Sequence, residues 1–575
     1  MSHLKALKSA SSIADIARIL GFKTSALAYL LYKKPETERY KSFQIPKRYG
    51  GVRDISAPCE EFKLLQRRLA DVLQNCIEEA DELQGWQDKM VHGFRRQRSI
   101  VTNATRHRRK RYVFNLDLAD FFGTINFGRV RGFLIKDRSF ALSPEVATIL
   151  AQISIFKNEL PQGAPTSPVL SNLIGRPMDV RLAKLAKQYG CTYTRYADDI
   201  TFSTNLQEFP RAIASRDPNN NDRWMIGKNL ANSINKCGFA INPSKTRMRY
   251  RDSRQEVTGL VVNEFVNVNS DFRKLVRAMV NQYCKTGEYF EVMRTVDDSR
   301  KVIVTKEKGN PQALLGRLAF IDHIRTELTN TPAGIRLKDT RYNISEDYRR
   351  FLFFREFYQT DRPVILCEGP TDIIYLSHAI HSLAPAFPSL INKDSSGKVS
   401  LSVRLYKYEN RTCGKILGLS GGFGPLCDFV GKYKVFTEST QVPSSQFPVI
   451  LIFDNDKGAN KIKVLAKKLT GMELKEGDFI HLFSNLYAML TPTVLGKPES
   501  AIEDLFDATT LAIPFGGKTF DPKDKTDKTK HFGKAVFAHK VIRPMASSIS
   551  FAGFSPLLST VCAAIEHRKK LLRVE

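Results

Sequence analysis

Apolar and polar residues repeat along this chain with two different periods, and the changes of period divide it. From Ser11 to Lys33, "SSIADIARILG" and "KTSALAYLLYKK" bring an apolar residue round every three or four positions, which predicts two short amphipathic helices broken at Gly21. Such a pair serves either as a DNA-reading helix-turn-helix or, more commonly, as a packing element at the front of a larger domain. From about Gln44 to Phe320 short alternating runs mix with helical periods. Within them "RRYVFNLDLADFF" delivers Asp117 from an otherwise apolar strand, and "CTYTRYADDITFST" alternates on both sides of Asp198 and Asp199, predicting a hairpin with the two aspartates at its tip. Past a polar, Pro- and Gly-bearing segment at 330–343, the pattern becomes continuous. "RPVILCEGPTDIIYL" and "FPVILIFDNDKG" are unbroken apolar runs that end in acids and lead into helical periods. Strand alternating with helix predicts a parallel α/β sheet.

The predicted organisation is a helical segment at 1–40, an α+β region over 41–330, a linker at 331–360, and a parallel α/β domain with a C-terminal extension over 361–575. A chain of 575 residues is too long for one core. Its 42% hydrophobic and 26% charged residues describe a globular protein and exclude a disordered one. Lys and Arg number 88 against 59 Asp and Glu, a net charge of +29, so a polyanionic partner such as nucleic acid is expected. The nine cysteines are scattered without zinc-ligand spacing, as in reduced cytosolic proteins. No signal peptide and no membrane-length apolar run is seen, so a cytoplasmic location without membrane contact is expected. The stretch Lys518–Lys534, "KTFDPKDKTDKTKHFGK", reads as a charged loop.

An Asp pair in a turn is ordinarily turn chemistry. The neighbours of Asp198 and Asp199 change that reading. "GGVRDISAPCEEFKLLQRRL" at 50–69, "LPQGAPTSPVLSNL" at 160–173 and "INPSKT" with Lys245 surround the Tyr-Ala-Asp-Asp box in an order that resembles the reverse transcriptases. The resemblance implies a right-hand fingers, palm and thumb fold in the 41–330 region. It implies that Asp117, Asp198 and Asp199 are catalytic and hold two Mg²⁺ ions, with Mn²⁺ as the alternative; carboxylates are the ligands such ions prefer. It further implies that Arg53, with Lys47, holds the triphosphate of a dNTP, that Gln162 lies at the incoming base, and that Lys245 is a substrate contact. Phe122 falls at the family's steric gate against a ribose 2′-OH, with ordinary core packing as the competing role. "NATRH" at 103–107 and "VTG" at 257–259 together resemble the bacterial retron enzymes. These copy a cognate structured noncoding RNA, primed from a guanosine 2′-OH, into branched multicopy single-stranded DNA. For that RNA, the run "FRRQRSIVTNATRHRRKR" offers Arg95, Arg96, Arg106, Arg108, Arg109 and Arg111, with Arg98 and Lys110, as a phosphate track.

The second acidic set is Glu368, Asp454 and Asp456, each at the end of an apolar run. In an open parallel sheet the carboxyl ends of strands are where ligands bind. Glu-Gly followed by Asp-x-Asp resembles the Toprim domain of topoisomerases, primases and OLD-type nucleases, over about 361–510. That resemblance implies a second two-metal Mg²⁺ site that hydrolyses phosphodiesters, with Glu503 of "SAIEDLF" as a further ligand and Lys540 of "GKAVFAHKVI" as a phosphate contact. Asp372 is covered by a simpler role, an acid at a helix N-terminus. The whole then reads as a retron polymerase fused to a nuclease effector in antiphage defence, bound to its RNA and its DNA–RNA product, with a homo-oligomer on the nucleic acid allowed. The alternative is a group II intron-like or diversity-generating reverse transcriptase with a non-catalytic nucleic-acid-binding C-terminal domain.

Overall fold

The computed structural model describes residues 2–46, 52–83, 90–296, 302–329, 343–394, 397–408, 412–494, 497–522, 527 and 529–574. They form two compact units, Met1–Asn269 and Ser270–Glu575. Among the described residues no helix is long and apolar enough to cross a membrane, and all nine cysteines are free thiols.

In the first unit the two amphipathic periods become the helix Ile13–Leu20, stopped by Gly21 at φ +67°, and the helix Thr24–Ala28, which continues as a π-helical turn over Tyr29–Lys33. Their apolar faces, Ile16, Leu20, Leu27, Leu30 and Leu31, are buried in the same core cluster as the strands that follow, so the pair is a packing element. A hairpin of β1 (Tyr40–Pro46) and β2 (Val52–Pro58) comes next, then the long helix Glu60–Leu83. The centre of the unit is an antiparallel sheet of β3 (Tyr112–Ala119), β4 (Thr192–Tyr196), β5 (Asp199–Thr204) and β8 (Ala240–Tyr250), in the order β4-β5-β3-β8. A second hairpin, β6 (Ala214–Asp217) with β7 (Asn220–Ile226), precedes β8, and the short pair β9 (Glu256–Val257) and β10 (Leu260–Val261) follows it.

One buried ion pair joins this sheet to the helix Ser167–Gln188. The Arg195 guanidinium, fully buried on β4, donates through Nε and Nη2 to the two Asp179 carboxylate oxygens, both at 2.7 Å, and through Nη1 to the Ala197 carbonyl at 2.9 Å. Tyr193 Oη donates to the same carboxylate at 2.7 Å. Gly175 makes room for it: a Cβ there would lie 3.0 Å from Arg195 Nη2.

The second unit opens with the helix Ser270–Thr286, the hairpin β11 (Phe290–Val296) with β12 (Val302–Lys308), and the helices Pro311–Thr329 and Asn343–Phe353. After β13 (Val364–Cys367), a small hairpin of β14 (Ile391–Lys393) and β15 (Val399–Leu401) leads to β16 (Arg404–Leu405). With β17 (Val449–Phe453), β18 (Phe479–Phe483) and β19 (Leu486–Leu490) these make a five-stranded sheet in the order β16-β13-β17-β19-β18. The first four strands of that order are parallel and β18 is antiparallel. Every residue of β13, β17 and β19 is buried, which is why these strands are written as unbroken apolar runs rather than alternations. The Lys518–Lys534 stretch is not loop throughout: Thr519–Phe520 and His531–Phe532 pair as short parallel strands.

Removing one partner of a buried pair strands a charge in the core, at a cost of about 3–5 kcal/mol, whereas an apolar replacement of both partners costs much less. Denaturant unfolding of Asp179→Leu should therefore show a large stability loss in the first unit, and the double variant Asp179→Leu/Arg195→Met a smaller one. A double variant at least as unstable as the single would show that the pair is not what holds the helix to the sheet.

Candidate active sites

Antiparallel register sets Asp117 of β3 directly opposite Asp199, the first residue of β5. The hairpin tip is Ala197–Asp198, so Asp199 begins the strand rather than sharing the turn. Ala197 sits at φ +56°, a conformation unfavourable for a residue with a Cβ. It is held from three sides. Arg195 Nη1 bonds its carbonyl, Leu118 N–H donates to the Asp198 carbonyl at 3.0 Å, and Gly93 lies so close that a Cβ there would be 2.4 Å from the Ala197 nitrogen.

The three carboxylates crowd one another. Asp198 is raised above the usual carboxylate range by burial and then by Asp117. Asp199 keeps an edge to solvent, yet the surrounding protein, then Asp198 and Asp117, push it to about 7. Lys245 of β8 opposes this with its ammonium 3.0 Å from both oxygens of Asp117. Among the described residues no group of three His, Cys, Asp or Glu is already drawn together tightly enough to hold a metal ion. The donor chemistry nonetheless fits a divalent cation: three hard oxygen ligands carry negative charge that one lysine does not balance.

Other candidate residues surround this site. Arg53 lies exposed on β2 and its charge reaches Asp198; Lys47 lies outside the described residues. The Gln162 carbonyl accepts from Ser56 N–H at 2.9 Å, and Gly163, at φ +121°, packs where a Cβ would be 3.1 Å from Ile55 and Ser56, so the loop is docked on the Arg53 strand. Phe122 is half-buried, its ring 5.4 Å from Phe121 and 6.3 Å from Phe94. The basic run does not form one track. Arg95 is paired with Asp81 at 2.5 Å and Arg96 with Glu78 at 3.2 Å, whereas Arg106, Arg108, Arg109 and Arg111 are exposed. The two short boxes meet: Asn103 Nδ2 lies 3.5 Å from Thr258 Oγ1, and Thr258 and Gly259 turn at φ +48° and +81°. His107 of the first box is fully buried between Ser203 and Thr194 hydroxyls at 2.8 and 2.7 Å, and burial drives its pKa down to about 3, leaving a neutral structural link.

In the second unit Glu368 follows β13, and Asp454 and Asp456 follow its parallel neighbour β17. Asp454 N–H donates to Glu368 Oε1 at 3.1 Å, and Ile502 N–H donates to Asp454 Oδ1 at 3.0 Å. The intervening Asn455 exchanges both backbone hydrogen bonds with Ser500, which brings the Glu503 segment beside the Asp-x-Asp turn. Glu503 is buried and Lys534 Nζ lies 3.0 Å from it. Asp372, read from sequence as a helix-end acid, does accept from Gly369 N–H at 2.7 Å, but it is buried and belongs to the acid cluster. Burial, then the neighbouring acids, raises Asp454 to about 8 and Asp372 to about 6; burial, then Asp456, raises Glu368 to about 7. Asp456 stays exposed and accepts from Gly458 N–H at 2.7 Å. Lys540 is exposed on the π-helical segment Phe537–Ile542. The cation set among the acids is Lys534, which precedes it by six positions in the same motif. The sequence reading names Lys540 alone, and it is the turn of the backbone that brings Lys534 to the acids. The "LGLSGGFG" stretch buttresses the site: Gly422 N–H donates to the Glu368 carbonyl at 2.8 Å.

The family model described as reverse transcriptase (RNA-dependent DNA polymerase) matches residues 45–263. The retron Mx65 reverse transcriptase of Myxococcus xanthus is 35% identical over 294 residues, covering 48% of this chain and 63% of that protein. The retron Mx162 enzyme of the same organism is 35% identical over 272 residues, 44% of this chain and 53% of that one. The retron Ec86 reverse transcriptase of Escherichia coli is 30% identical over 288 residues, 49% of this chain and 82% of its own length. The matched region is thus of the reverse transcriptase class. Within that class the chain belongs to the retron reverse transcriptases, although it spans less than two thirds of the two Myxococcus proteins. Solved telomerase from Candida albicans, in complex with a fragment of telomeric RNA, aligns at TM-score 0.28 and 12% identity over 54% of this chain and 60% of that one, a level that carries no argument.

The raised carboxyl groups set a pH dependence. A folded-state pKa above the unfolded one favours the protonated native state. That stability is fully present below about pH 4 and is lost as pH rises through about 7 for Asp199 and Glu368 and about 8 for Asp454. Thermal melts in EDTA should fall between about pH 5 and 8.5. Asp454→Asn should flatten the upper part of that decline, and millimolar Mg²⁺ should reverse it. A decline of unchanged steepness in Asp454→Asn would show that this carboxyl does not titrate there.

Proposed function

We propose that this chain is an RNA-directed DNA polymerase of the retron kind, whose 361–575 region is a Toprim-type, metal-dependent nuclease. The observation that carries the reading is that the chain holds two carboxylate sites, each with its own lysine and each with electrostatic partners from its own unit. Asp117, Asp198 and Asp199 work with Lys245, whereas Glu368, Asp372, Asp454 and Glu503 work with Lys534.

In the first site Asp117, Asp198 and Asp199 would hold the divalent ions, and Arg53 and Gln162 would face the incoming dNTP. Bound there, Mg²⁺ supplies the charge that activates the attacking hydroxyl and stabilises the departing pyrophosphate. The protein's own contribution is placement. The Arg195 clamp fixes the strained turn, and Lys245 holds Asp117, which would become a ligand where a cation took the place of the ammonium. The exposed Arg106, Arg108, Arg109 and Arg111, and the joined Asn103 and Thr258 boxes, fit a surface for the cognate noncoding RNA that is copied into branched DNA. In the second site Glu368, Asp454 and Asp456, with Glu503, would hold Mg²⁺ for phosphodiester hydrolysis. Lys534 is placed to neutralise the cluster and to meet a phosphate. An effector role in antiphage defence is what the retron resemblance implies for a nuclease joined to such a polymerase.

Asp198→Asn should abolish primed DNA synthesis, whereas Asp454→Ala should leave it at the parental rate and abolish metal-dependent cleavage and toxicity in expressing cells. Loss of DNA synthesis in Asp454→Ala would overturn the two-site reading. Sequencing the RNA that co-purifies tests the template: a structured RNA with a branching guanosine supports a retron, and intron RNA refutes it. Lys534→Met should reduce cleavage strongly and Lys540→Ala little; the reverse order would reinstate Lys540 as the phosphate contact.

A further inference from the structure

The second unit contains a cavity of about 650 Å³. One wall is apolar. Ile374 lies on the helix Asp372–Ser382, with His378 one turn further along the same face, and Leu401 and Leu405 come from β15 and β16. Cations also line it: Arg362 before β13, Lys407 after β16, His539 in the π-helical segment Phe537–Ile542, and Arg543 just after that segment. No Asp or Glu lines it among the described residues. Arg404 also contributes but is already engaged by Glu356 at 2.8 Å, and Arg362 has the exposed Asp361 beside it at 3.3 Å. Lys407 and Arg543 make no ion pair with any described residue, and both are exposed.

The combination is selective. A solvated cationic surface needs no apolar slot, and a hydrophobic-ligand pocket needs no rim of unpaired cations. Apolar side chains together with several cationic donors match a molecule with a planar, weakly polar part and a phosphate, and the volume lies in the range of small-ligand sites. We propose that this cavity binds a nucleotide, its base on the Ile374–Leu405 wall and its phosphate between Lys407 and Arg543. Its floor is tied to the acid site. The Tyr408 hydroxyl lies 2.9 and 2.8 Å from the carbonyls of Cys367 and Glu368, its single proton shared between them, and Pro370, two residues beyond Glu368, lines the cavity. A bound nucleotide therefore rests against the turn that presents Glu368. The inference stands on the cavity itself and does not require the acids to be a nuclease.

The nucleotide has two sources, a free mononucleotide or the 5′-phosphorylated end of a strand. The test is photolabelling of the full-length chain with 8-azido-ATP, without template and in EDTA to suppress metal-dependent binding at the polymerase site, followed by peptide mapping. Label is expected within 373–378 or 401–408. The double variant Lys407→Glu/Arg543→Glu should lower it by about tenfold or more, while Lys570→Glu, an equally exposed reversal elsewhere, should not. Ile374→Trp, which fills the slot and leaves the rim intact, should also lose the label, so that a misfolded charge variant does not decide the matter. Competition by AMP but not by a 5′-phosphorylated ten-nucleotide strand identifies a free nucleotide; equal or better competition by the strand identifies a strand end. Label confined to other segments, no label, or label insensitive to both cavity variants would overturn the proposal.

Discussion

The Asp179–Arg195 pair is the constraint on which the polymerase site rests. Its guanidinium is buried completely, a position that is costly unless each donor is matched. Here two donors meet a carboxylate and a third meets the carbonyl of Ala197, the residue held at positive φ. The strain of the turn and the burial of the charge are thus met by one arrangement. Gly175 admits the guanidinium, Gly93 admits the turn, and Tyr193 completes the carboxylate. The helix that begins after the Gln162 loop is in this way tied directly to the strand that leads into Asp198 and Asp199. Two motifs far apart in sequence therefore act as one rigid part.

Such rigidity matters because the carboxylates repel. Three acids with one exposed lysine leave uncompensated negative charge in a partly desolvated site, and a flexible loop would relieve it by moving apart. A hairpin held at its tip cannot, and the tension appears as raised pKa values instead. The same logic governs the second unit by different means. There the strands β13 and β17 are buried on both faces, their parallel register fixes Glu368 beside Asp454, and the backbone exchange between Asn455 and Ser500 brings up Glu503. A sheet core replaces the salt bridge as the source of stiffness.

What the sequence made legible follows from how local the determinants are. The runs "PVILC" and "PVILIF" announce central parallel strands because burial on both faces dictates composition residue by residue. The hairpin around Asp198 was readable because its two strands adjoin in sequence, although β5 is buried at every position after Asp199 rather than alternating. Asp372 and Lys534 were not, since whether an acid ends a helix innocently or joins a cluster depends on segments remote in sequence. The basic run shows the converse: eight cations look alike in a row, but Asp81 and Glu78, on a helix more than ten residues earlier, claim Arg95 and Arg96 and leave the later arginines outward. Arg195, the residue most deeply involved in the site, stands in the motif as an ordinary charge in a strand. Only its burial reveals its work.

The two lysines beside the acids differ in a way that bears on how each site is switched on. Lys245 is more than half exposed and pairs with a single aspartate, so on the proposed function a cation arriving with a nucleotide would displace it readily. Lys534 is more enclosed, and its partner Glu503 is almost wholly buried, with Asp454 and Asp372 adding to the attraction. On the proposed function, a metal at the second site would compete with a lysine held by several acids, or would bind alongside it at Glu368 and Asp456. The first arrangement favours a site that is available whenever substrate is present, as a polymerase needs. The second holds its lysine among several acids, so that on the proposed function metal loading would depend on what draws Lys534 away, and a phosphate is the group best suited to do so.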